Sequence, residues 1–170
     1  MGGVDQPNAT GQTLQALKTC ALLPDCRITV VMGMAAPWLK NVQDLATEMP
    51  WPTEVLVNIS NMAQRMADSD LAIGAAGSTS WERCCLGVPT LMVVLAENQK
   101  EIAFALESIG AAITLDRSIA QQFTYILASS INHLVKEDTA LKSICRAASM
   151  VTNGHGTNLV AAQMLVNRAL

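Results

Sequence analysis

The chain has 170 residues, of which 51% are hydrophobic and 15% charged, and it carries a net charge of −3 at pH 7. That length supports one well-buried domain and is too short for two of ordinary size. The negative balance leaves no basic stripe to neutralise successive phosphates, so no nucleic acid partner is expected, and no apolar run reaches the roughly 18 residues of a spanning helix.

In chain order, Met1-Gly-Gly-Val-Asp-Gln-Pro-Asn8 reads as a loop that should follow a strand, although one residue alone precedes Gly2. The chain is therefore expected to be a single domain over residues 1–170, cut from a longer enzyme. Asn8 or Thr10 can cap a helix running to about Leu22, with Leu14, Leu17 and Ala21 on one face and Pro24 beyond its end. Arg27–Gly33 is a strand with a glycine exit. Pro37–Glu48 is a second helix, which Pro50-Trp-Pro52 prevents from continuing. Glu54–Asn58 is strand-like, Asn61–Asp68 a short helix and Asp70–Gly74 a further strand. That strand empties through Ala75-Ala-Gly-Ser-Thr79 into a helix over Ser80–Gly87, and Val88–Leu95 is the next strand. A helix over Asn98–Ser108 stops at Gly110, Ala111–Leu115 is a short strand, and three helices follow: Ser118–Leu134, Glu137–Met150 and Asn158–Arg168.

Alternating strands and helices of this kind imply right-handed crossovers and an open parallel sheet, with ligands outside the carboxyl ends of the strands. High apolar content with little charge suits such a sheet, covered on both faces. The expected class is a Rossmann-like, three-layer α/β domain with a helical tail. Gly2-Gly3, Gly33, Asn58–Asn61, Gly74–Thr79 and Ala96–Gln99 all fall at the carboxyl edge, which is the main physical argument for a site there.

Gly2-Gly3-Val4-Asp5 can form a turn whose amides face a diphosphate, although glycine pairs are common in any turn. In Gly77-Ser-Thr79, small residues allow close approach of backbone, the hydroxyls of Ser78 and Thr79 are donors, and the first N–H groups of the following helix point outward. Glu82, one turn in, can accept from ribose hydroxyls. From spacing alone, a plain N-capped helix with Glu82 in a capping box reads equally well. Asn98 and Gln99 carry amides suited to sugar hydroxyls, and helix capping by Asn98 explains it as simply. His133 and His155 have no base, nucleophile or metal partner nearby in sequence. Trp38, Trp51 and Trp81 are too dispersed for a stacking platform. The five cysteines, Cys20, Cys26, Cys84, Cys85 and Cys145, are scattered without a C-x-x-C pair and read as free thiols of a reducing compartment. With no basic leader and apolar core at its start, the chain is expected to be cytoplasmic and to need no metal or cofactor.

Taken together, Gly2-Gly-Val-Asp5, Asn61-Met-Ala-x-x-Met-Ala-Asp68, Asp70-Leu-Ala-Ile73, Ala76-Gly-Ser-Thr-Ser-Trp-Glu82, Leu86-Gly-Val-Pro89 and Glu97-Asn-Gln99 resemble one family. It is the C-terminal half of the UDP-sugar hydrolase of pseudaminic acid biosynthesis, which removes UDP from 2,4-diacetamido-2,4,6-trideoxy-β-L-altropyranose. More distantly, the chain is similar to the C-terminal domain of the UDP-N-acetylglucosamine transferase of peptidoglycan synthesis, and so to a family 28-like half of the two-domain GT-B fold. The resemblance is strong over residues 1–115 and looser over the tail. It implies a UDP-sugar ligand: Gly2 and Gly3, in the loop that ends at Asp5, facing the diphosphate, the backbone near Ile59 reading uracil, Gly77, Ser78 and Thr79 holding phosphate, Glu82 binding ribose, and Asn98 and Gln99 touching the sugar. The histidine base of such hydrolases lies in the N-terminal half, which nothing here matches, so no catalytic residue is expected in this chain. Transfer of the sugar to an acceptor and a non-catalytic nucleotide-binding or oligomerisation module are the alternatives. The apolar excess leads us to expect exposure of the missing domain's contact surface and an incidental homodimer.

Overall fold

A computed structural model describes residues 1–2, 4–117 and 120–166. Its strands are β1 (Ile28–Met32), β2 (Thr53–Val57), β3 (Ala72–Ala75), β4 (Thr90–Val94) and β5 (Ile113–Asp116). They alternate with α1 (Ala9–Leu17), α2 (Leu39–Thr47), α3 (Met62–Ala67), α4 (Thr79–Cys85) and α5 (Lys100–Ser108), and the tail is α6 (Ala120–Lys136), α7 (Asp138–Ser149) and α8 (Gly156–Val166). All observed pairings are parallel, in two groups: β1 with β2, and β3-β4-β5 with β4 in the centre.

The three-layer arrangement follows from the two-residue period of β4. Leu91 and Val93 point into a cluster with Leu14 and Leu17 of α1, Val42 of α2 and Phe123, Leu127, Ile131 and Leu134 of α6. Met92, between them, points the other way, into a cluster with Cys84 of α4, Ala103 and Leu106 of α5 and Ala148 of α7. Val30 and Met32 of β1 join the first cluster, so one core serves both strand groups. The spacing of Phe123, Leu127, Ile131 and Leu134 lays one face of α6 along this core, and each is 1% exposed or less. Burial of each such side chain contributes about 1.5–3 kcal/mol.

The expected elements are present, with shifted ends. Helix α1 stops at Leu17 rather than near Leu22, because the N–H groups of Thr19 and Cys20 turn to the carbonyls of Ala16 and Leu17 and the Thr19 hydroxyl also donates to Ala16. Strand β3 runs on through Ala75, which pairs with Val93. Asn98 does not cap α5: a 3₁₀ turn over Glu97–Gln99 leads into it, and no side chain caps either. The expected helix start at Ser118 and the end at Arg168 lie outside the described residues. Among the described residues no helix is long and apolar enough to cross a membrane.

Candidate functional site

Because the strands within each group are parallel, the loops that leave them share an edge with their neighbours. The opening loop is fastened to this edge through its main chain. Trp38 Nε1 donates to the Gln6 carbonyl at 2.8 Å, and Arg117, just after β5, donates to the Pro7 carbonyl at 2.8 Å and to Gln12 Oε1 at 3.1 Å. Asp5 is buried with φ 44°, and its two carboxylate oxygens accept from the N–H groups of Ala9 and Thr10, each at 2.9 Å. Asn8, also left-handed, accepts from Gly11 N at 3.1 Å. Asp5 and Asn8 thus satisfy three of the donors that open α1. Both Asp5 oxygens are engaged in the fold, where they shape the loop. Gly2 has φ +75° with open space where a Cβ would stand, so conformation rather than crowding calls for glycine. Gly3 lies outside the described residues.

At the end of β3 the chain turns through Ala76-Gly-Ser78 into α4. Ser78 and Thr79 are exposed, as is Glu82 in the first turn. Ser78 makes no side-chain capping bond, so the capping-box alternative is not realised and its hydroxyl stays available. Gly77 has nothing within 4 Å of a would-be Cβ, leaving room for close approach to its backbone. Beneath this loop lies Arg83, 6% exposed. Its Nη2 donates to the Ala75 carbonyl at 2.9 Å and to Ser80 Oγ at 3.1 Å, and its Nη1 donates to Thr79 Oγ1 at 3.1 Å. Its Nε is the buried side-chain polar atom left without a partner among the described residues. Burial pushes the guanidinium below its ordinary pKa, partly offset by Cys84 and Glu82, and among the described residues no carboxylate forms an ion pair with it.

The remaining expected contacts border the same edge. Ile59 follows Asn58, whose φ of 50° and side-chain bond to Met34 N at 3.2 Å tie the exit of β2 to that of β1. Gln99 Oε1 accepts from Leu95 N at 2.9 Å, bracing the loop after β4, while Asn98 is exposed. His155 is exposed, its N–H bonded to Asn153 Oδ1 at 3.0 Å. His133 belongs to a different region, an open groove of about 550 Å³ lined by Thr19, Tyr125, Asn132 and Lys136 on the α6 flank. Among the described residues no three His, Cys, Asp or Glu side chains are grouped to hold a metal ion.

Burial pushes the Met1 ammonium below its ordinary pKa, with Asp5 opposing and Arg83 adding to that shift. Arg83, Arg117 and Trp38 are loop supports that the sequence did not point to. One signal was present for Arg83, since a glycine inside a strand marks a close approach and Gly74 makes room for its head.

Compared with known proteins, residues 9–160 match the glycosyltransferase family 28 C-terminal domain. The chain is 28% identical over 136 residues to the spore coat polysaccharide biosynthesis protein SpsG of Bacillus subtilis, covering 76% of this chain and 40% of SpsG. It is 31% identical over 102 residues to the uncharacterised protein MJ1062 of Methanocaldococcus jannaschii, covering 59% of this chain and 21% of that protein. Among solved structures it is similar to MurG of Acinetobacter baumannii, with a TM-score of 0.74 at 22% identity over 91% of this chain and 46% of MurG. The fold is thus that of the C-terminal half of a GT-B protein, and the chain spans less than half the length of these relatives.

Proposed function

Because the chain belongs to the glycosyltransferase family 28 C-terminal domain family, we propose that it is the UDP-sugar-binding part of an enzyme that hydrolyses a nucleotide-sugar to UDP and free sugar. The observation that carries this reading is the loop Gly77-Ser-Thr79 at the carboxyl edge, with two exposed hydroxyls, accessible backbone and the Glu82 carboxylate one turn on. Hydroxyls and backbone N–H groups suit the diphosphate oxygens, and a carboxylate suits a ribose diol. The opening loop from Gly2 faces the diphosphate from the other side, Ile59 backbone reads uracil, and Asn98 and Gln99 meet the sugar.

In the reaction, water attacks the anomeric carbon, the bond from that carbon to the phosphate oxygen breaks, and UDP departs with the bonding electrons. The proton of the water goes to a base contributed by a part of the enzyme outside these 170 residues. This chain fixes the leaving group so that the anomeric carbon is presented to that base. Exposed apolar residues on the rim, Val4 at 46%, Met34 at 72% and Trp38 at 41%, offer a surface for a second domain to close against. The pseudaminic acid precursor is the substrate suggested by the motif series, and a role in making surface polysaccharide accords with the likeness to SpsG. A cytoplasmic setting belongs to the proposal and is supported by five free cysteines.

Transfer of the sugar to an acceptor is the second reading, favoured by the family itself. Incubation of the intact protein with a UDP-sugar, following UDP and free sugar together, separates the two. Equal release of both without any acceptor supports hydrolysis; UDP release that requires an added acceptor, with the sugar recovered on it, supports transfer. Calorimetric titration with UDP beside CDP and GDP tests the uridine preference.

A further inference from the structure

Arg83 is an expensive residue to bury: its guanidinium is desolvated and, among the described residues, lacks an ion pair and leaves Nε without an acceptor. The fold nonetheless makes room for it. A Cβ on Gly74 would stand 2.7 Å from Nη1 and 3.2 Å from Cζ, so the strand beneath it must be glycine. What the guanidinium does with its donors is specific. It grips the end of β3 at the Ala75 carbonyl and the start of α4 at Thr79 Oγ1 and Ser80 Oγ, bridging the loop from both ends. An arginine can only donate, so each hydroxyl it touches is forced to accept there. Thr79 is exposed, and among the described residues its hydroxyl has no acceptor to donate to. Its proton is left for a ligand.

We infer that Arg83 is the positioning residue of this site, which turns the exposed Thr79 hydroxyl into an obligate donor toward an anionic oxygen at the Gly77–Thr79 loop. The inference rests on the phosphate-binding part of the proposed function and adds a residue to it. Ser80, gripped by the same fork but 1% exposed, holds the helix start in place.

The test is a double-mutant cycle on the intact protein, with calorimetric titration of UDP, uridine and inorganic pyrophosphate against wild type, R83M, R83K, T79V and R83M/T79V. R83M and T79V are each expected to weaken UDP binding about tenfold, equivalent to about 1.4 kcal/mol, while uridine binding stays unchanged. The double variant should be no weaker than T79V, since without the hydroxyl Arg83 has nothing to orient. A purely through-space charge effect would persist in the T79V background and give additive losses, which overturns the inference, as does an equal loss for UDP and uridine. R83K keeps the charge without the fork, so full retention of affinity in R83K also overturns it. If R83M does not fold, Gly74→Ala displaces the same guanidinium by contact and is expected to reproduce its selective loss; unchanged UDP affinity in G74A then counts against Arg83. If wild type binds no UDP, the nucleotide reading fails, and pyrophosphate decides: selective, non-additive weakening upholds Arg83, and no binding or no effect overturns it.

Discussion

Gly74 and Arg83 occupy one space, because a side chain at residue 74 would begin 2.7 Å from Nη1 of the arginine. Gly74→Ala must therefore push out a buried guanidinium that holds three oxygens. We expect a loss of about 1–3 kcal/mol, the usual cost of overpacking, measured by urea unfolding. In an R83M background the same substitution should cost less, because the crowded head is gone. Equal costs in both backgrounds would show that the two residues are not coupled.

Much of the fold was legible in local pattern. The unbroken apolar run Leu91-Met-Val-Val94 announced a strand buried on both faces, and the alternation of strands with glycine- and proline-punctuated helices gave the class. The C-terminal end of α1 and the start of α5 were not legible, because they depend on which carbonyl a given N–H reaches. The candidate site divides in the same way. Gly77, Ser78 and Thr79 could be read from their place between a strand and a helix, whereas Asp5 could not be assigned its work as a helix anchor without knowing where Ala9 and Thr10 point. Apart from the glycine at Gly74, Arg83 was not legible as a support, because a charged residue at a helical position reads as solvated until burial shows otherwise.

The anchor at Asp5 can be tested directly. Asp5→Ala removes both acceptors of the first α1 donors, a loss expected to cost about 1–2 kcal/mol, whereas Asp5→Asn keeps one acceptor and should cost less. Chemical denaturation of the two variants gives the order. An unchanged midpoint in Asp5→Ala would mean that Asn8 alone suffices to start the helix.

Glu82 is exposed in the first turn of α4 and free to meet a diol. Glu82→Ala should weaken UDP by about 10- to 100-fold, as the about 1.5–3 kcal/mol of hydrogen bonds to charged groups implies, and leave an analogue lacking both ribose hydroxyls unaffected. Calorimetry with the two ligands checks it. Equal weakening of both would place the carboxylate away from the ribose.

The thiols should fall into classes by burial. Cys20 and Cys84 are buried, and burial pushes both thiols above their ordinary pKa, although Arg83 pulls Cys84 partly back. A raised folded pKa means that the folded state holds its proton more tightly than the unfolded chain. The contribution to stability is thus fully present below the unfolded thiol pKa, and is lost as pH rises through the folded one. In native protein near neutral pH, a thiol reagent should label Cys85 and Cys145 quickly and leave Cys20 and Cys84 until the fold opens. Stability should decline as pH is raised above the ordinary thiol range. Mass mapping of labelled residues over time checks the first expectation and unfolding midpoints across alkaline pH the second.

Helix α8 offers the clearest test of surface behaviour. Gly156–Val166 contains no charged residue, and Leu159, Val160, Met164 and Leu165 are 70%, 61%, 62% and 68% exposed. An amphipathic helix would turn such residues to one side and bury them, but here they stand in water around the helix. Exposed apolar surface of this kind drives association. In the 170-residue chain, sedimentation velocity over a range of concentrations should show reversible self-association. Leu159→Lys with Leu165→Lys should reduce it while leaving the unfolding midpoint nearly unchanged, since neither side chain contributes to the described core. The substitutions act through α8 alone if UDP affinity is also unaltered. A monomer at every concentration in the unsubstituted chain would rule out α8 as an association surface, and association that survives the double substitution would shift attention to the rim residues Met34 and Trp38.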